Sequence, residues 1–112
     1  MKEEILASTG KEYFEEGIAS LNRGKYNSSI VLFFKALVSY TDLFILNQTG
    51  KTPSSHNQRF QITKDKFPEI YNILDKDFPF YQDSYGKVIS KELAEVVRDD
   101  AKFVATKAGI KI

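Results

Sequence analysis

A chain of 112 residues with 42% hydrophobic side chains, nine Phe and six Tyr can bury the core of one domain, above the size at which disulfides or metals must serve as staples. Sixteen Lys plus Arg against fifteen Asp plus Glu leave a net charge of +1, which excludes a global field drawing the chain onto nucleic acid or an anionic membrane; any basic site must be local. Cysteine is absent, which excludes disulfides, thiolate metal sites and cysteine nucleophiles and fits a reducing compartment.

The N-terminal MKEEILASTGKE is acidic and mixed where a signal peptide would be basic and then apolar, so the expectation is a cytoplasmic protein. Residues 2 to 22 read as a first helix, with Leu6, Tyr13, Gly17 and Leu21 on one stripe and Phe14 and Ile18 beside it. Its start has two readings. Thr9 followed by Glu12 has the form of a capping box and Gly10 is a poor interior residue, so the helix begins either there or near Lys2. Asn22, Arg23 and Gly24 make a turn short enough to force the next helix antiparallel.

That next helix, over residues 25 to 48, is the element the rest must be built around. It is apolar almost all round, with no proline or glycine, and Ser28, Lys35, Ser39 and Asp42 fall on its one polar stripe. Read as interrupted by charge too often to span a bilayer, it belongs in the middle of a bundle, or between a bundle and a second copy of the chain. A loop, NQTGKTPSS, follows. Ser55 with Gln58 forms a second capping-box candidate, opening a weakly apolar helix over about 55 to 66. Pro68 suits a first helical position, which predicts a further helix from Glu69 to about Asp77 using Ile70, Ile73 and Leu74. Pro79 is then expected to bend the chain while Phe78, Phe80, Tyr81 and Tyr85 cover one end of the core. The last helix runs from about Val88 or Ser90 to Ala108, with Leu93, Val97, Val104 and Ala108 buried, flanked by Val96 and Ala101. No stretch alternates with the period of a strand. The fold class is therefore all-α, an up-and-down bundle of four to five helices forming a single domain.

Several motifs carry chemistry in form only. Gly50, Lys51 and Thr52 look like the end of a P-loop, but Ile45 stands where the first glycine is required and a helix precedes the segment in place of a strand. Asn27-Ser28-Ser29 and Asn47-Gln48-Thr49 match glycosylation sequons, accidental in a cytoplasmic chain. One His and no Cys leave only carboxylates for a metal, in no EF-hand pattern, so no metal or other cofactor is expected. Asp99 and Asp100, adjacent on a helix, point about 100° apart and read as a solvated face with Arg98 and Lys102. The aromatic group from Phe78 to Tyr85 reads as core packing before base stacking, since no basic residue is interleaved until Lys87. Lys51, His56, Arg59 and, further along, Lys64 surround the start of the third helix, where free N–H groups and the dipole favour anions. The ordinary reading is an exposed His among solvated charges; the functional one is a site for the phosphate of a nucleotide or RNA.

Tyr13, Gly17, Tyr26, Ser29, Ile30, Phe33 and Ala36 have the spacing of one tetratricopeptide repeat, but the unit does not recur, and a helical hairpin explains it. A wider resemblance joins Leu21 to Tyr26 (LNRGKY), the aromatic pair Phe33 and Phe34, the loop Gly50, Lys51 and Thr52 leading to His56, then Asp83 and Tyr85, and finally Ala101, Phe103 and Val104. In the order of these parts the chain resembles the HEPN superfamily, and within it small helical proteins of archaea and bacteria. The resemblance implies a bundle of four or five helices that dimerises through long helices, and association with nucleotides or RNA, often beside a minimal nucleotidyltransferase in toxin–antitoxin pairs. Catalytic HEPN ribonucleases carry Arg, four to six residues, then His. Here the sole His56 has only Arg23 upstream, and no His follows Arg98. The resemblance thus implies a non-catalytic binding module using Lys51, His56 and Arg59, with a divergent ribonuclease using His56 or a structural adaptor as alternatives.

Overall fold

The computed structural model describes residues 1–112 and contains five helices: α1 (Lys2–Asn22), α2 (Tyr26–Thr49), α3 (His56–Lys66), α4 (Pro68–Asp83) and α5 (Lys91–Lys107). The expected all-α class is the observed one. Contacts between residues fix the directions. Leu6 meets Ser39, Gly10 meets Tyr40 and Gly17 meets Phe33, so α1 and α2 are antiparallel. Phe67 packs on Phe44 at one end of α4 and Ser84 accepts from Asn27 at the other, so α4 also opposes α2. Lys107 pairs with Glu69, which sets α5 antiparallel to α4. The four long helices therefore alternate up and down, and the short α3, reached by a loop that doubles back, lies parallel to α2.

The first helix starts at Lys2, not at Thr9. Gly10 sits inside it because a side chain there would have no room: a Cβ would stand 2.5 Å from Tyr40 Cε1, and at Gly17 it would stand 2.6 Å from Phe33 Cε1. These two glycines let α1 lie against the largest rings of α2. Gly24, with φ 73°, closes α1 in a left-handed position, its N–H reaching Leu21 O while Lys25 N–H reaches Ser20 O.

α2 packs against α1, α4 and α5, and Ile30, Phe33, Ala36, Leu37, Tyr40 and Ile45 are wholly buried. By length and composition it is apolar enough to cross a membrane, with a mean hydropathy of 1.8, which corrects the reading that charge interrupts it too often. Its two charges are Lys35 and Asp42. What makes it a core helix is coverage, 61% of its most apolar 18-residue stretch being buried by the rest of the chain. None of the most exposed large apolar side chains belongs to α2, although Val31, Leu32, Val38, Phe44 and Leu46 are only half-buried.

Two helices differ from the expectation. α4 does not stop near Asp77 but runs through Pro79 to Asp83. Proline removes one helical donor and costs about 3 kcal/mol in a helix interior, and here Phe78, Phe80 and Tyr81 offset that cost by packing against the core. Tyr85, expected among them, is 76% exposed and meets Tyr81 through a 3.0 Å hydroxyl contact. In α5, Ser90 is the cap, its side chain accepting from Leu93 N–H, and Val88 before it is 96% exposed. The buried face is Ala94, Val97, Ala101, Val104 and Ala105, rotated from the expected stripe so that Leu93 is only half-buried and Val96 is exposed.

The connection from α4 to α5 is held by one side chain. Asn27 Nδ2 donates to Ser84 O at 3.0 Å and Lys87 O at 2.7 Å, and its Oδ1 accepts from Ile89 N–H at 2.9 Å. Asn27→Ala should cost about 1–3 kcal/mol and speed amide exchange across residues 84 to 89, measurable by urea titration and hydrogen exchange. Gly17→Ala should cost a similar amount, about 1–3 kcal/mol, by driving a methyl into the Phe33 ring, read in the same denaturation assay.

Candidate functional site

The doubled-back loop delivers α3 with its start already capped. Ser55 Oγ accepts from Gln58 N–H at 3.0 Å, as expected, and Gln58 Oε1 in turn accepts from Ser54 N–H. One free donor of the helix start is thereby used, so an anion there would find fewer N–H groups than an uncapped end offers.

Arg59 turns inward to α2. Its Nε and Nη2 donate to the two carboxylate oxygens of Asp42 at 2.7 and 2.9 Å, and the side chains are 14% and 13% exposed. A bidentate pair this sheltered anchors α3 to the bundle. The pair fixes the place of His56 one turn earlier, whose ring lies 4.7 Å from Phe60 and 4.6 Å from Phe78. Partial burial, followed by the neighbouring Arg59 charge, lowers the His56 pKa from its ordinary value, which favours the neutral imidazole. It makes no side-chain hydrogen bond.

His56 stands at the wall of a cleft of about 360 Å³. Leu6, Thr9 and Tyr13 of α1 form one side, Phe34, Lys35, Val38, Ser39 and Asp42 of α2 the floor, and Phe78 and Tyr81 of α4 the other side. Phe34 and Tyr81 are stacked with centroids 4.7 Å apart. The polar stripe of α2 now has two halves: Ser28 and Lys35 are exposed, while Ser39 donates to Leu6 O at 2.8 Å and Asp42 is covered by Arg59. Lys35 forms no ion pair and is the cation the cleft presents. Of Lys51, His56, Arg59 and Lys64, only His56 lines it; Lys51 and Lys64 are exposed elsewhere, and Arg59 is neutralised behind it. Sequence reasoning missed Lys35, Tyr13 and Tyr81 as neighbours. The signal for Lys35 was its place on the polar stripe, but which stretch of that stripe stays open depends on α1 and α3.

The arrangement offers aromatic faces and an exposed ammonium to a ligand, with an imidazole at its edge. No three His, Asp or Glu side chains converge as a metal would require. Searches against protein-family models, curated proteins and solved structures each find no match to this chain. The chemistry of the cleft is accordingly read from its own residues.

A second cluster corrects the reading of Asp100 as part of a solvated face. Its side chain is largely covered and takes the Lys76 ammonium at 2.9 Å, beside the wholly buried Asp77. The periodicity of α4 held the clue, because Asp77 continues the spacing of Ile70 and Leu74 toward the core.

The Asp42–Arg59 pair has a measurable signature. Asp42→Ala, which strands a sheltered guanidinium, should destabilise by about 2–3 kcal/mol. Adding Arg59→Met should recover part of that loss, and a double-mutant cycle by urea titration checks it.

Proposed function

We propose that the chain is a non-catalytic, HEPN-like binding module whose ligand is a nucleotide or single-stranded RNA held in the cleft beside His56. The observation that carries this reading is the pairing of aromatic walls, Tyr13, Phe34, Phe78 and Tyr81, with the unpaired Lys35. Aromatic faces accept bases of any sequence, and an exposed ammonium attracts a phosphate. Arg59, named with Lys51 and His56 as an anion ligand, acts in this reading through Asp42 by setting α3 and the His56 ring in place. Lys51 lies outside the lining of the cleft, so in this reading it contacts only a part of the ligand that extends beyond it.

A non-catalytic role is supported by the single histidine and by its lack of a hydrogen-bonded partner that would orient it as acid or base. The order of parts shared with HEPN proteins adds a minimal nucleotidyltransferase as a candidate partner and a homodimer as the assembled form. These rest on the resemblance.

The test is incubation of the purified chain with labelled single-stranded RNA over a salt series, read for retardation and cleavage on the same gels. Binding should weaken with salt, and Lys35→Ala should reduce the salt slope by about one phosphate contact. His56→Ala should weaken binding without any cleavage to lose. Affinity unchanged in both variants would remove the cleft as the site. Cleavage abolished by His56→Ala would replace this reading with the divergent ribonuclease, and absence of binding at every salt would favour the protein adaptor.

A further inference from the structure

Asp77 occupies a core position on α4, its side chain wholly removed from solvent, and neither carboxyl oxygen receives a hydrogen bond from an N–H or O–H group. Two ionisable groups face it. Asp100 comes from α5, and Lys76 comes from its own helix; α1, α2 and α3 contribute no charge to its surroundings. The ammonium is committed elsewhere, since Lys76 Nζ is 2.9 Å from Asp100 Oδ2 but 3.9 Å from Asp77 Oδ1. Asp77 is left opposite a carboxylate. Two carboxylates side by side out of water cannot both ionise, and a buried acceptor with no donor is destabilising unless a proton fills the gap. Asp100, paired and in partial contact with water, is the better placed to stay charged.

We propose that Asp77 is held protonated and donates its proton to Asp100, so that one proton latches α4 to α5. Because Phe78 follows Asp77 and Tyr81 lies one turn on, the same proton steadies the α4 wall of the cleft. The latch opens when the proton leaves for solvent and both carboxylates carry charge. It depends on the carboxyl pair alone and stands whether or not the cleft binds RNA.

Burial first, then Asp100, push the Asp77 carboxyl up to about 9, with Lys76 pulling weakly the other way. In the unfolded chain the group releases its proton near the ordinary carboxylate value of about 4. Between these two values the folded protein binds a proton that the unfolded chain has lost. Folding stability contributed by this group therefore falls as pH rises through that window, by up to about tenfold in the folded-to-unfolded ratio per pH unit, and levels off above it.

The deciding experiment is a carbon-13 NMR titration of the Asp77 carboxyl in the intact chain. It should titrate far above the ordinary carboxylate range, and its midpoint should drop in Asp100→Asn, whose amide can donate to an ionised Asp77. In urea titrations, Asp77→Asn should gain on the wild type progressively from about pH 5 to about pH 9, because its amide makes the donor bond at every pH. Protection of the amides between residues 76 and 81, corrected for the intrinsic base-catalysed rate, should fall above the midpoint in the wild type but not in that variant. A wild-type Asp77 titrating in the ordinary range overturns the latch, as does a pH dependence of stability that runs parallel in the two proteins. Should Asp77→Asn fail to fold, the wild-type titration still decides.

Discussion

One helix that cannot tolerate water on most of its sides dictates the arrangement of the others. α2 carries large apolar groups at nearly every azimuth, and burying each contributes roughly 1.5–3 kcal/mol, so α1, α4 and α5 must all lie against it. The close approach of α1 is made possible by Gly10 and Gly17, which face the Tyr40 and Phe33 rings. Everything at the candidate site follows from where this covering stops. The polar stripe of α2 is sealed by Arg59 at Asp42 and by the Leu6 carbonyl at Ser39, and it opens at Lys35.

The cleft is thus a gap between coverings, walled by side chains that also serve the core. Phe34 and Tyr81 stack on each other at its side, and Phe78 touches both His56 and the core. Such double use qualifies the reading of the aromatics from 78 to 85 as core packing before base stacking: Phe78 and Tyr81 face both ways, whereas Tyr85 faces mainly solvent. It also ties the cleft to the seating of α4, which is set by Phe67, by the Asn27 clamp on the following loop and by the Lys76–Asp100 pair.

Three ion pairs join one helix to another. Arg59 joins α3 to α2, Lys76 joins α4 to α5, and Lys107 reaches Glu69 across the same pair of helices. Most of the remaining cations form no ion pair, and Lys35 is distinguished among them because it lines the cleft.

The sequence by itself determined the helical class, the centrality of α2, the antiparallel α1–α2 hairpin and the Ser55 start of α3, and narrowed the start of α5 to Val88 or Ser90. Each is encoded by residues close together in the chain: a hydrophobic period, a cap, or a glycine at a turn. It misled at Pro79, where local propensity was outweighed by the packing of rings on either side. Three things only the tertiary structure decided: that Arg59 would be consumed by Asp42, that Lys35 would face a cleft with His56, and that Lys76 would reach Asp100 beside the buried Asp77. These pairs lie 17, 21 and 24 residues apart in the chain. Whether two charged groups meet at such separations depends on helix rotation and crossing, which are fixed by the fit of the whole core and not by any segment within it.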